Sequence, residues 1–321
     1  MIKRYSKPSA DILKIKASFF EDNESFLKEN LRLAKVYSEQ QRRTKCKICE
    51  ATLKEPFFTK QSIEYFRCSN CGHINGGYED TAAYTQEVYI NNADYAKFYK
   101  SEDKAEYLER VNAIYKPKAD FLQECLINVC NNPRDLSVGD IGCGSGHFIY
   151  ALKYLNNFNQ VAGYEVSPHQ VAFANSMLED KLVNQICFED LPLLLQSCHF
   201  DILSMIGVLE HLRELRLVLK SVAENDDIRF FFLLLPLFSH SIFFEAANQD
   251  IFNRQLWGGA YSFIYTRIDT AFCQGIWLRN SWYMALWYRY DRFIPISLRK
   301  IGKAWIIEVA RCVCRKICPP N

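Results

Sequence analysis

The chain has 321 residues, a formal net charge of +2 and 49% apolar residues, enough for about two domains with an ordinary core and too apolar for a disordered chain. The near-neutral charge gives no strong signal for nucleic acid, and the longest apolar run, Phe230 to Phe238 broken by Pro236, is too short to span a bilayer. No charged segment followed by an apolar stretch and a small-residue cleavage site opens the sequence, so the expected location is cytoplasmic.

In residues 1–45, Phe26, Leu27, Leu31, Leu33, Ala34 and Val36 recur at helical spacing among charged residues, which predicts an amphipathic helix from about Glu24 to Lys45. Residues 46–75 hold Cys46-Lys-Ile-Cys49 and Cys68-Ser-Asn-Cys71, separated by eighteen residues. Two tight thiolate pairs on opposing turns supply the corners of a tetrahedral Zn²⁺ site, and with no open position evident the metal reads as structural. Gly72 follows the second pair, whereas Glu50 follows the first, where glycine is usual. A redox dithiol or core cysteines are the alternatives, although a redox motif needs one pair rather than two. His73, beside Cys71, is a further candidate ligand for a site that four cysteines already complete. The other nine of the thirteen cysteines are scattered through apolar segments and read as reduced thiols.

A tyrosine-rich bridge covers residues 76–118 (Tyr78, Tyr84, Tyr89, Tyr95, Tyr99, Tyr107, Tyr115). Its tyrosines from Tyr84 to Tyr99 read mostly as packing residues, with one of them a candidate for an acceptor pocket. Pro117 ends the bridge and suits the first turn of a helix running to about Val129. Residues 119–240 alternate helical stretches with the strand candidates Leu136 to Ile141, Gln160 to Glu165, Gln185 to Phe188, Phe200 to Ile206 and Arg229 to Leu235. That alternation predicts an α/β fold, a mainly parallel sheet with helices on both faces.

The strongest chemical signal is Val138-Gly-Asp-Ile-Gly-Cys-Gly-Ser-Gly-His-Phe148. A strand runs into a turn with Gly142, Gly144 and Gly146, where missing side chains let backbone approach a ligand closely. The dinucleotide fingerprint needs Gly or Ala where His147 stands, which weakens a nicotinamide or flavin reading; His147 reads as a helix-start residue. Glu165 ends the next strand, where a carboxylate accepts both ribose hydroxyls. Asp190 follows the third strand, placed to meet an adenine amino group, and Asp140 lies two residues before Gly142.

Asp-Ile-Gly-Cys-Gly-Ser-Gly, the acid ending strand two, Phe-Glu-Asp-Leu-Pro, and Phe-Asp-Ile-Leu-Ser-Met-Ile-Gly-Val-Leu-Glu-His-Leu resemble, in order, the motifs of class I methyltransferases over residues 119–240. The resemblance implies a Rossmann-like sheet preceded by a small zinc ribbon. It also implies S-adenosylmethionine as cofactor, with Gly142, Gly144 and Gly146 against its methionine part, Glu165 on the ribose and Asp190 or Glu189 at the adenine. The paired cysteines, the tyrosine-rich linker and Val-Leu-Glu-His together resemble the zinc-binding methyltransferases of nucleotide-linked deoxysugars and surface-polysaccharide precursors. A sugar is then the implied acceptor. In that family the carbon methylators take a proton from a keto-sugar and methylate the enolate.

His211, one residue past Glu210 at the carboxyl end of the fourth strand, is the candidate general base, and Glu210 orients it or binds a sugar hydroxyl. A locally satisfied histidine is the alternative. A zinc-ribbon RNA methyltransferase and a non-catalytic cofactor-binding protein stand as competing functions. The first is weak, because Arg42, Arg43, Lys45 and Lys47 are offset by the acids that follow. Residues 241–321 diverge from the family pattern and are expected to complete the sheet before a basic, aromatic tail. From Ile276 to Cys318 nine Lys or Arg face two acids. Leu298, Ile301, Trp305, Val309 and Cys312 suggest a terminal helix, with Arg299, Lys300, Lys303, Arg311 and Arg315 largely on other faces and Gly302 weakening it. Such a helix docks on the core or touches an anionic membrane surface.

Overall fold

The computed structural model describes residues 23–91, 103–127 and 130–235, and the strand segments 237–238, 262–265, 283–288, 292–301 and 304–307. Helix α1, Asn23–Ser38, buries Phe26, Leu33, Ala34 and Tyr37. It stops well short of Lys45 because tertiary pairing takes over. The Tyr37 hydroxyl donates to the Tyr78 carbonyl at 2.5 Å, Arg42 bridges Tyr78, and the Arg43 amide donates to the Gly77 carbonyl at 2.9 Å.

Strands β1 (Phe58–Lys60), β2 (Ile63–Arg67) and β3 (Ile74–Gly76) form an antiparallel ribbon. Gln61 and Ser62 turn the first hairpin in the left-handed region, the conformation of the tight turns that match strand twist. Helix α2, Ala82–Gln86, starts at Thr81, whose hydroxyl accepts from the Tyr84 amide, and runs on through a wider turn, Glu87–Asn91. Leu33, Tyr37, Ile63, Tyr65, Ile74, Tyr84 and Val88 make one core from α1, ribbon and bridge.

Helix α3, Lys104–Arg110, leads through a wide turn, Val111–Tyr115, into α4, Lys116–Ile127. Pro117 lies in the first turn of α4, as expected, and the wide turn before it accommodates its ring and missing N–H. The strands that follow are β4 (Ser137–Ile141), β5 (Gln160–Glu165), β6 (Val183–Gln185), β7 (Ile202–Ile206) and β8 (Phe230–Leu235), and all pair in parallel. Between them lie α5 (His147–Tyr150), α6 (Pro168–Leu178), α7 (Leu191–Ser197) and α8 (Leu215–Glu224). One face of the sheet packs Phe121, Phe148, Leu152 and Leu178; the other packs Leu195, Leu215, Leu219 and Val222. This is the α/β architecture expected from the alternation and the Rossmann-like sheet that the resemblance implies. Strand β6 starts two residues earlier than expected, and the apolar Ile186-Cys-Phe188 lies in the loop beyond it.

Strands β9 (Leu237–Phe238) and β10 (Ser262–Tyr265) join the ribbon, giving the order β1-β2-β3-β10-β9. Strands β11 (Tyr283–Tyr288), β12 (Arg292–Ile301) and β13 (Ala304–Ile307) extend the main sheet to β13-β12-β11-β8-β7-β4-β5-β6. The terminal helix from Leu298 is thus corrected to a hairpin, Ile301 pairing with Ala304. Strand-favouring Ile301, Trp305, Ile306 and Ile307 outweigh the helical spacing. Val309, Cys312, Arg311 and Arg315 lie outside the described residues. No described helix is long and apolar enough to cross a membrane.

Candidate active site and metal centre

The strand order reverses between β4 and β7, and open α/β sheets bind ligands outside the carboxyl ends of strands at such a point. Gly142, Gly144 and Gly146 follow β4 there with φ of 65°, 54° and 74°. A Cβ on Gly142 would lie 2.5 Å from Val208 Cγ2, so the loops after β4 and β7 touch across the switch point. A Cβ on Gly144 would meet nothing within 4 Å, which leaves that backbone facing open space.

Glu165, at the end of β5, accepts from the amides of Gly144 (2.9 Å), Val166 (2.9 Å) and Ser167 (3.0 Å). Burial still pushes its carboxyl above the usual range, against those amides. Asp140 is buried under the loop and accepts from Ser204 Oγ at 2.5 Å. Burial pushes it up to about 7, with the Ser204 bond and the Lys118 charge opposing. Glu189 and Asp190 are exposed beyond β6, and Asp190 stands before α7 without a side-chain capping bond. An open glycine backbone, an acid ending β5 and exposed acids beyond β6 fit a ribonucleoside cofactor with an amino-acid end.

His147 opens α5, as expected of a helix-start residue. It is buried between the rings of Tyr107 (4.4 Å) and Tyr115 (5.0 Å), and burial lowers it to about 3. The Tyr107 hydroxyl also donates to the Ser145 carbonyl at 3.2 Å, so α3 braces the glycine loop from behind.

Across the crevice, Gly207 follows β7 at φ 67°, and a single tight turn, Leu209–His211, comes next. His211 Nδ1 lies 2.7 Å from the Tyr89 hydroxyl, and His211 Nε2 lies 3.8 Å from Glu210 Oε1. The Tyr89 ring meets the His211 ring edge-on and approaches Phe188 at 6.1 Å. The structure thus brings Glu210 and His211 together and picks out Tyr89, which the sequence offered only as one of several bridge tyrosines.

The four cysteines come together behind this turn. Their sulfurs lie within 4.8 Å of one another, the closest pairs at 3.5 Å (Cys46 and Cys71) and 3.4 Å (Cys49 and Cys68). Zn–S bonds of about 2.3 Å require S···S edges of about 3.8 Å, so the set fits tetrahedral zinc. The two knuckles are alike: Glu50 N–H donates to Cys46 O and Gly72 N–H to Cys68 O, each at 2.9 Å, with φ of 60° and 75°. Asn75 Nδ2 adds a contact to Cys46 Sγ at 3.6 Å. Cys46, Ile48 and Cys68 pack into the core of α7 and α8, and Arg216 on α8 donates to the Ile48 carbonyl at 3.1 Å. The knuckles are therefore part of the wall of the main domain.

Residues 140–225 match the family described as a methyltransferase domain. That match begins at Asp140 and includes the glycine loop, Glu165, Glu189, Asp190, Glu210 and His211. No curated protein matches the sequence. Similar solved structures include DesVI from Streptomyces venezuelae (22% identity, 39% of this chain and 54% of that chain, TM-score 0.28). They also include the sugar N-methyltransferase KedS8 from Streptoalloteichus sp. ATCC 53650 (22%, 39% and 50%, 0.31). A third is magnesium protoporphyrin IX methyltransferase from Synechocystis PCC 6803 with bound SAH (13%, 67% and 98%, 0.43). The chain spans about half the length of the first two.

Proposed function

We propose that the protein transfers a methyl group from S-adenosylmethionine to a sugar, either nucleotide-linked or a polysaccharide precursor, with His211 as general base. The observation that carries the reading is the 2.7 Å contact between Tyr89 and His211 Nδ1 at the carboxyl end of the sheet. With Nδ1–H donating to the tyrosine oxygen, the ring is fixed and Nε2 holds the lone pair that takes a proton from the acceptor. Glu210, 3.8 Å from Nε2, stabilises the imidazolium that results or receives a sugar hydroxyl.

On the cofactor side, the methyltransferase-domain match and the open backbone at Gly144 support the choice. Gly142, Gly144 and Gly146 would face the methionine part, with Asp140 beneath; Glu165 would hold the ribose, and Glu189 or Asp190 the adenine. When bound, the cofactor supplies an electrophilic methyl group and a neutral thioether leaving group. Positioning then provides much of the rate. The Cys46, Cys49, Cys68 and Cys71 site would hold zinc structurally, since four sulfurs leave no open position. The acceptor class follows the resemblance of the paired cysteines and Val-Leu-Glu-His to the zinc-binding sugar methyltransferases.

The test is incubation of the full chain with methyl-labelled cofactor and parallel pools of nucleotide sugars and RNA. Label is expected in the sugar pool. Label in RNA alone overturns the acceptor, and label in neither, with cofactor bound, favours the non-catalytic reading. His211→Ala is expected to keep cofactor affinity while turnover falls about a hundredfold.

A further inference from the structure

A buried ion triad joins the first cysteine knuckle to the acceptor side of the crevice. Lys47 lies inside Cys46-Lys47-Ile48-Cys49, and its amide donates to Asn75 Oδ1 at 2.9 Å. Lys47 Nζ lies 2.6 Å from Asp80 Oδ2, and Arg43 Nη2 lies 3.1 Å from the same oxygen while its Nη1 pairs with Glu79 at 3.0 Å. The Lys47, Arg43 and Asp80 side chains are 6%, 7% and 12% exposed, so these charges are locked together rather than solvated. Thr81, the next residue, caps α2, and α2 runs through its wide turn to Tyr89 and hence to His211. Burial pushes the Asp80 carboxyl up, but Lys47 and Arg43 together hold it below the usual range, and His211 is near enough to add to their effect.

We propose that Asp80 is a positioning residue for His211, through which the first cysteine knuckle sets both the placement of Tyr89 and the charge facing the imidazole. The inference rests on His211 as the base. Among the described residues, Glu210 from its own turn and Tyr89 from the turn after α2 meet the ring, β10 packs against the same turn, and Asp80, in the loop after β3 with Lys47 and Arg43 behind it, acts on the ring through its charge. Asp80 and Glu79 balance the two cations, and the two kinds of substitution remove charges of opposite sign, so they push the imidazole in opposite directions. Removing the carboxylate disfavours imidazolium, and removing Lys47 favours it.

The experiment uses full-length, zinc-loaded protein with ring-labelled histidine, the His211 signal being assigned by its loss in His211→Gln. At a fixed pH near about 6.5, Asp80→Asn is expected to lower the protonated fraction of His211 and Lys47→Met to raise it. Both variants should bind S-adenosylmethionine within about twofold of the parent. Turnover in Asp80→Asn should fall roughly tenfold at unchanged KM for the cofactor, and Asp80→Glu should recover part of it. Unchanged His211 signals, or shifts of the same sign in both variants, overturn the proposal. If Asp80→Asn does not fold, Lys47→Met carries the test alone, and an unshifted or less protonated His211 then overturns it. Failure of the base reading looks different: His211→Gln then keeps its turnover, whatever the signals do.

Discussion

The Gly144 amide donates to Glu165 Oε2 at 2.9 Å, so one charge-assisted bond ties the glycine loop to the end of the neighbouring strand. Glu165→Ala removes that tie and the proposed ribose acceptor together. Cofactor affinity is expected to fall by on the order of 1.5–3 kcal/mol, tenfold or more. Glu165→Gln keeps a carbonyl for the Gly144 amide and should lose less. Titration calorimetry with S-adenosylmethionine checks both, and an Ala variant that binds like the parent removes Glu165 from the cofactor site.

Tyr89→Phe keeps the ring contacts with Phe188 and His211 but deletes the bond to Nδ1. Turnover is expected to drop about tenfold, because the imidazole loses the partner that fixes its tautomer, while cofactor affinity holds. Steady-state kinetics separates the two, and an unchanged kcat would assign Tyr89 to packing alone.

Two buried groups make opposite contributions to the pH dependence of stability. Asp140 titrates near about 7 in the fold and near about 4 unfolded, so its contribution is fully present below pH 4 and is lost as pH rises to 7. Asp140→Asn is expected to remove that loss, raising stability at pH 8 by roughly 3–4 kcal/mol relative to pH 4. His147, lowered to about 3, stays neutral while the unfolded chain takes up a proton, so stability is lost as pH falls from about 6.5 towards 3. His147→Phe, which keeps an aromatic ring between Tyr107 and Tyr115, should flatten that acid limb. Urea unfolding from pH 3 to 8 reads both, and unchanged slopes in the variants would refute the assignments.

Glu50 adopts a left-handed conformation that costs a side-chain-bearing residue about 1 kcal/mol, and its 3.7 Å ion pair with Arg216 is solvent-exposed. Glu50→Gly should raise the thermal midpoint with zinc content unchanged. Gly72→Ala, at the matching position, should lower it by a similar amount. Scanning calorimetry with metal analysis checks the pair, and a destabilised Glu50→Gly would show that its side chain contributes more than its backbone costs.

The parallel core was legible because its strands are apolar, bounded and separated by helices, and Gln160–Glu165 was read to the residue. The glycine loop and the cysteine spacing were legible because few other arrangements need those residues. The ion cluster at Asp80 was not, because its partners Lys47 and Arg43 lie thirty-three and thirty-seven positions away in sequence. Tyr89 lies 122 positions from His211 and is chemically no different from the other bridge tyrosines. The shift of β6 has a similar cause: Ile186 and Phe188 are as apolar as a strand, but Phe188 is used beside Tyr89. The tail differs from the expected helix because its apolar residues, interrupted by Arg299, Lys300 and Lys303, fit both alternating and helical spacing over so short a stretch.

Strand β10 pairs antiparallel with β3 and parallel with β9, so a segment far along the chain is shared by the cysteine ribbon and the stretch leaving the main sheet. Cutting the chain after residue 240 would not release a trimmed but intact enzyme. It would strip the backbone partner from Ile74 and Asn75, turning β3 into an open edge three residues from Cys71 and inviting pairing between copies. Fragments divided at sequence landmarks should therefore aggregate where the whole chain does not, because the seam between the two modules is stitched from the far end.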